Sequence, residues 1–280
     1  MNKFLIAIER LEQKDASLQS LHLSNSNIDD RLAMKLATTL QTNTTLRKLH
    51  LWTNQIGDIG AKVLAESIQR HNSTLTVLNL SDNQIGREGA LGLAMALREL
   101  TVCLTSLHLD YNSIGDDGFF AIASALKVNE NLTELHVASN SIGLRGIMAI
   151  SDCLQWNKTL SVLNLSKNHV GNDEVKLLVS ALRRNVTLSA LFLDCNNIGD
   201  EGALVLVKAV RFHPSLQEVT LLANDNITPE GSQVLELVSK GNVDIMENFQ
   251  CLITTLIGED AGAVLKDEFQ YEPSPVKCLW

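Results

Sequence analysis

One spacing constrains this chain more than anything else in it. Leu18, Leu46, Leu75, Leu104, Leu132, Leu160, Leu188 and Leu216 follow one another at steps of 28 or 29 residues. Each opens a unit of one design, shown most fully by residues 46–72, LRKLHLWTNQIGDIGAKVLAESIQRHN. Leu49 and Leu51 lie two apart and so share one face of a short strand. After Gly57 the apolar spacing shifts to Ala61, Leu64, Ala65 and Ile68, which is a helical stripe. The unit therefore reads strand, tight turn, helix, return loop. A unit this small cannot bury its apolar face alone, so a fixed period implies stacked units that share one continuous core.

Two further columns support the stacking. From the second unit on, an asparagine follows each strand: Asn54, Asn83, Asn112, Asn140, Asn168, Asn196 and Asn224. A buried asparagine donates and accepts at once, so stacked copies can satisfy the backbone of adjacent turns. Behind it runs a glycine column, Gly57, Gly86, Gly115, Gly143, Gly171 and Gly199, which allows either a tight turn or a close approach before the helix. No GxGxxG or GxxxxGK[ST] phrase accompanies it, so it does not indicate phosphate binding. The return loops mostly read N-x-x-L, as at Asn43, Asn72, Asn129, Asn157 and Asn185, and depart from this at Thr101 and His213.

The pattern LxxLxLxxN with a following apolar residue resembles a leucine-rich repeat. The long unit with a full helix, and the IGDxG phrase at residues 56–60 and 198–202, is similar to the ribonuclease-inhibitor class. The resemblance implies an α/β fold: a right-handed leucine-rich-repeat solenoid, or horseshoe, with parallel strands on the concave face and helices on the convex face. Eight repeats are expected over 18–243. Residues 1–17, with Phe4, Leu5, Ile8 and Leu11 at helical spacing, read as an N-terminal capping helix. A membrane-surface helix is the other use of such a stretch. Residues 244–280 read as a C-terminal cap and a mobile acidic tail, with 242–246 as a vestigial strand and 247–269 as covering helices.

Charge narrows the partners. Of 280 residues, 45% are hydrophobic, enough for a continuous core, and the formal net charge is −9, which argues against DNA or RNA. The opening residues carry too short an apolar run for a signal peptide, and no stretch is long enough to span a bilayer. Cys103, Cys153, Cys195, Cys251 and Cys278 lack metal or disulfide spacing, so a reducing cytosol is expected. Cys103 and Cys153 read as small apolar residues near packed helix ends. The sequons at Asn43 and Asn157 coincide with the return-loop phrase and are not expected to be glycosylated.

Counting the first leucine as position one, positions three, five and seven face the concave surface and position eight lies on its rim. Position five holds His22, His50, Asn79, His108, His136, Asn164, Phe192 and Thr220. His22/His50 and His108/His136 should be near neighbours, because adjacent strands lie about 4.8 Å apart. Asp110 should sit close to the second pair. A ladder along a flat surface rarely offers tetrahedral geometry, so no metal and no cofactor are expected. The histidines are read either as partner contacts, with binding weakened below about pH 6.5, or as inert surface. Trp52, Tyr111 and Phe192 have no core to fill at their positions, and exposed aromatics anchor interfaces. Trp156 is read as packing locally in a return loop.

No serine-histidine-aspartate set, HExxH or paired carboxylates in an evident pocket indicates an enzyme. The expected function is a non-catalytic protein-binding module, monomeric on its own. Its candidate contacts are His50, Trp52, His108, Asp110, Tyr111, His136, Phe192 and Asp194. The resemblance to ribonuclease inhibitors implies a blocker that covers an enzyme's active site. A scaffold or small-GTPase regulator of signalling or innate-immune type stays open beside it. The family's GTPase activators work with an arginine and a long acidic tail, and this chain has neither feature in the matching places. The compact array and the acidic residues Glu259, Asp260, Asp267, Glu268 and Glu272 are also similar to effectors that intracellular bacteria deliver by type IV secretion.

Overall fold

Each strand is only three residues long, and its middle residue is the unit's second leucine or the equivalent valine. The first four are β1 (Ser20–His22), β2 (Lys48–His50), β3 (Val77–Asn79) and β4 (Ser106–His108). They are followed by β5 (Glu134–His136), β6 (Val162–Asn164), β7 (Ala190–Phe192) and β8 (Glu218–Thr220). The computed structural model describes residues 3–70, 74–99 and 101–233, together with the backbone of 277–279. All the strands pair in parallel in chain order, and the pairing is in repeat register: Leu21 opposite Leu49, Leu49 opposite Leu78, and so on to Leu191 opposite Val219. The sheet is open, alternates with helices and forms the leucine-rich-repeat solenoid expected of the sequence.

The helices are α1 (Lys3–Glu12), α2 (Asp30–Leu40), α3 (Asp58–Arg70), α4 (Arg87–Leu97), α5 (Gly115–Leu126), α6 (Leu144–Leu154), α7 (Asn172–Leu182) and α8 (Asp200–Arg211). Their alanine-rich inner stripes meet the strand leucines in one unbroken core that runs from Phe4 to Leu221. Helix α1 closes the first end with Phe4, Ala7, Ile8 and Leu11, while Leu5 and Ile6 remain exposed. Asn43 Nδ2 donates to the Leu11 carbonyl at 3.2 Å, so the first return loop also secures the last turn of α1.

The turns are held by three ladders. In the first, the asparagine that follows each strand bridges two repeats. Asn168 Oδ1 accepts from the Asn140 and Ile142 amides at 3.0 Å each, and its Nδ2 donates to the Val137 and Leu165 carbonyls at 3.0 Å each. To aim this side chain inward the chain must turn sharply one residue earlier. Thr53, Asp82, Tyr111, Lys167, Cys195 and Ala223 accordingly take the left-handed conformation, with φ between 54 and 56°. Each costs on the order of 1 kcal/mol or more for a side-chain-bearing residue, and the paired backbone around it offsets that cost.

The second ladder explains the IGDxG phrase. The aspartate of one repeat accepts from the helix N-terminus of the next: Asp30 Oδ1 takes the Gly57 and Gly60 amides at 2.7 and 2.9 Å, and Asp116 Oδ1 takes those of Gly143 and Gly146 at the same distances. A Cβ on Gly60 would lie 2.6 Å from that carboxylate oxygen, so close approach is what this glycine provides. Three repeats lack the aspartate: Asn172 stands in for it, its Oδ1 taking the Gly199 and Gly202 amides at 2.9 and 3.1 Å, and at the other two the following turn differs. After Arg87, Gly115 swings to φ +63° and donates to the Asn140 carbonyl at 2.9 Å. After Leu144, the Gly171 amide turns to Glu174 Oε2 of its own helix at 2.9 Å. Of the two roles open to the glycine column, the left-handed turn applies at Gly115 alone among the described residues.

The third ladder lies in the return loops. Asn129, Asn157 and Asn185 each donate to a carbonyl one repeat earlier and accept from the amides two and three residues ahead. Asn43 and Asn157 are buried in this work, which leaves their amides no room for a glycan. His213, an apparent departure in sequence, does the accepting half of this job: its Nδ1 accepts from the Leu216 amide at 2.9 Å and the Ser215 amide at 3.3 Å. Asn72 lies outside the described residues.

Three expectations are corrected. Lys277–Leu279, read as part of a mobile tail, forms β9, parallel to β8, with Val219 opposite Cys278. The physical reason is the edge of β8, whose unpaired amides and carbonyls accept any strand that reaches them. Cys103 is exposed rather than packed, and Trp156 is 65% exposed rather than locally covered. Cys153 is buried, and burial pushes its thiol up to about 12. The vestigial strand at 242–246, the covering helices at 247–269, and the acidic stretch compared with an export signal lie outside the described residues.

Candidate protein-binding surface

Because the middle residue of each strand faces the core, positions three and five of every repeat share the opposite face. At β1 and β2 the imidazoles of His22 and His50 stack with centroids 4.4 Å apart and planes 2° from parallel. At β4 and β5, His108 and His136 stack at 4.3 Å and 12°. In-register pairing makes both stacks unavoidable once position five is histidine in adjacent repeats. Burial pushes the pKa of His50 down, with His22 and then Lys48 adding to it. Burial also pushes His108 down, His136 adds to that, and Asp110 and Glu134 oppose it. Ser106 Oγ lies 2.9 Å from His108 Nε2 and fixes that ring.

Asp110 and Asp194 are also structural. Beyond the three-residue strands, the position-seven amide of Ser81, Ala138, Ser166 and Leu222 is satisfied by a side chain. Asp110 Oδ1 accepts from the Ala138 amide at 2.7 Å, and Asp194 Oδ1 from the Leu222 amide at 2.8 Å. Where position five is asparagine, it does this for its own repeat: Asn79 for Ser81 at 2.9 Å and Asn164 for Ser166 at 3.0 Å. Such carboxylates reach a partner already oriented, but their identity reflects backbone satisfaction as well as binding.

The aromatics stand differently. Trp52 is 48% exposed and Tyr111 47% exposed, and Phe192 is half-buried beside Asn164. Lys167 Nζ bonds Tyr111 Oη at 2.7 Å and lies 5.0 Å from the ring centroid, two repeats away in the same column. That hydrogen bond raises the lysine's pKa. The small Ser139 between them leaves the path open. This brace was not read from the sequence; its signal is a cation and an aromatic two periods apart at one position. The candidate residues thus fall on β2, β4–β5 and β7, spread over roughly 24 Å of sheet at about 4.8 Å per strand. His108, His136, Asp110 and Tyr111 form one neighbourhood, His50 and Trp52 a second, Phe192 and Asp194 a third. Ser106 and Ala190, expected on this face, are 5% and 8% exposed.

Comparison with known proteins agrees with the architecture. A leucine-rich repeat family model matches residues 42–65, 71–94, 102–123, 128–151, 157–178 and 184–207. No curated protein sequence matches. Among solved structures, the chain is similar to the actin-binding site 2 of leiomodin-1, at 25% identity and a TM-score of 0.42 over 65% of this chain and 88% of that one. It is also similar to the tropomodulin C-terminal domain of Caenorhabditis elegans, at 20% identity and a TM-score of 0.46 over 54% and 91%. Likeness at these scores says nothing about a shared partner. Leucine-rich repeat domains generally mediate protein–protein interaction, and no described helix is long and apolar enough to cross a membrane. With matches that cover half its length and a period that runs through eight strands, this chain belongs to the leucine-rich repeat family.

Proposed function

We propose that the strand face is a non-catalytic docking surface for another protein, and that it acts by covering that protein's working surface. The observation that carries this reading is the pair Trp52 and Tyr111, half exposed on a backbone held in the sheet and the asparagine ladder. Large aromatics that are already rigid lose little conformational freedom on binding, which is what interface anchors need. Phe192 and the oriented carboxylates of Asp110 and Asp194 extend the surface, and His50, His108 and His136 line it. A face about 24 Å long can bury the roughly 1,200 Å² or more of a specific complex. An enzyme whose active site is occluded by this surface is the partner we favour, in a reducing compartment that suits the free thiols of Cys103, Cys153 and Cys195.

A bridging scaffold is the second reading. It is favoured by Leu91, Phe120 and Met148, which are 41%, 52% and 53% exposed at one place on successive helices and provide a second apolar strip on the opposite side. Affinity capture with the wild type beside a Trp52→Ala/Tyr111→Ala/Phe192→Ala variant tests both. A partner lost from the folded variant, whose activity the wild type suppresses at one-to-one ratio, supports the covering role. Capture that survives in the variant overturns it, and dependence on Phe120 and Met148 instead assigns the helix side.

A further inference from the structure

We infer that His108, Glu134 and His136 form a binding site for a divalent transition-metal cation of the zinc class. One ligand atom from each lies within 4.8 Å of the other two. This reverses the expectation drawn from the histidine column, which weighed the imidazoles with Asp110 and not with Glu134. The third donor comes from the neighbouring column: Glu134 precedes His136 by two residues on β5, so both side chains leave the same face of the strand. Pairing places Ser106 opposite Glu134 and His108 opposite His136. Ser106 Oγ at 2.9 Å from His108 Nε2 shows that this edge of the ring faces the column in which Glu134 stands. The donors therefore form a triangle rather than a row.

Two imidazoles and one carboxylate suit zinc, cobalt(II) or a similar cation, whereas calcium and magnesium prefer an all-oxygen shell. The three side chains are half-buried, so water completes the coordination from the open side, as in three-ligand zinc sites. Asp110 is nearby but is turned to the Ala138 amide at 2.7 Å and stays outside the set. The molecule carries its own control. His22 and His50 stack just as closely, 4.4 Å against 4.3 Å, yet the position-three residues beside them are Ser20 and Lys48. A lysine ammonium offers no lone pair and repels a cation.

The test is titration of the full chain with Co²⁺ followed by its visible d–d absorption, and with Zn²⁺ by calorimetry, each variant first confirmed as folded by circular dichroism. One equivalent should bind to the wild type and to His22→Ala/His50→Ala alike. Glu134→Lys, which reproduces the surroundings of the first pair, and His136→Ala should each weaken binding by more than about 100-fold, beyond the 10–100-fold lost with a merely orienting group. Absence of one-equivalent binding to the wild type overturns the assignment. So does undiminished binding to Glu134→Lys, or a thiolate charge-transfer band that places the metal on cysteine.

Discussion

Two columns run side by side through this solenoid, one residue from each repeat, and they obey opposite rules. The asparagine column keeps one residue type from Asn54 to Asn224, while position five passes through histidine, asparagine, phenylalanine and threonine. Both are stacked at the spacing of neighbouring strands. The difference is what each side chain is required to satisfy. A ladder asparagine such as Asn168 is 5% exposed and closes backbone groups in two repeats; a position-five side chain is half-buried in six of the eight repeats and, where it is asparagine, serves only its own repeat. Repetition therefore marks what the fold requires, and variation marks where the fold leaves the surface free for a partner or an ion.

The sharpest way to break this contrast is Asn168→Ala. It orphans the Asn140 and Ile142 amides and the Val137 carbonyl, at about 1–3 kcal/mol for each group that water cannot reach, while the Leu165 carbonyl keeps its bond from Asn196 Nδ2. A net loss of about 3–5 kcal/mol is expected in chemical denaturation, and a loss below about 1 kcal/mol would mean that the ladder is ornamental. Trp52→Ala/Tyr111→Ala should show the converse: binding weakened by about 3 kcal/mol, with the denaturation midpoint altered by no more than about 0.5 kcal/mol. If both folding and binding fall together, the two columns are not separable.

Smaller effects sharpen the picture. Asp116→Ala removes the acceptor shared by the Gly143 and Gly146 amides and should cost about 1–2 kcal/mol of stability, the range of a helix N-cap. Lys167→Met should leave folding unchanged and weaken partner binding by about 0.5–1 kcal/mol through the lost brace on Tyr111, the size of an exposed cation–π contact. Last, burial pushes the pKa of His213 down. Below the ordinary histidine value the unfolded chain then binds more protons than the folded one, so this contribution to stability is full above about pH 6.5 and is lost as pH falls. His213→Asn keeps the acceptor in the loop and should flatten that dependence in denaturation curves at pH 5 to 7; an unchanged slope would assign it to other groups, His50 among them.

The period, the inward leucines, the asparagine column and the outward register of Trp52 and Tyr111 are legible in the chain alone. They are legible because each is a local consequence of side-chain alternation or of backbone groups that recur once per repeat. Other features depend on which repeat lies beside which, and how far a side chain reaches. His213 looks like a break in the return-loop pattern until its Nδ1 is seen accepting the Leu216 amide at 2.9 Å. Gly115 looks like its column mates until the missing aspartate at Arg87 frees its turn. Lys167 and Tyr111 are 56 residues apart, and nothing in the spacing says that the lysine spans Ser139 rather than extending into solvent. Glu134 joins two histidines only because parallel pairing sets position three of β5 next to position five of two strands. The sequence by itself determined the repeat, the fold and the face that is free to vary. The tertiary structure decided which side chains meet across repeats, because those meetings rest on register and reach between units rather than on any pattern within one.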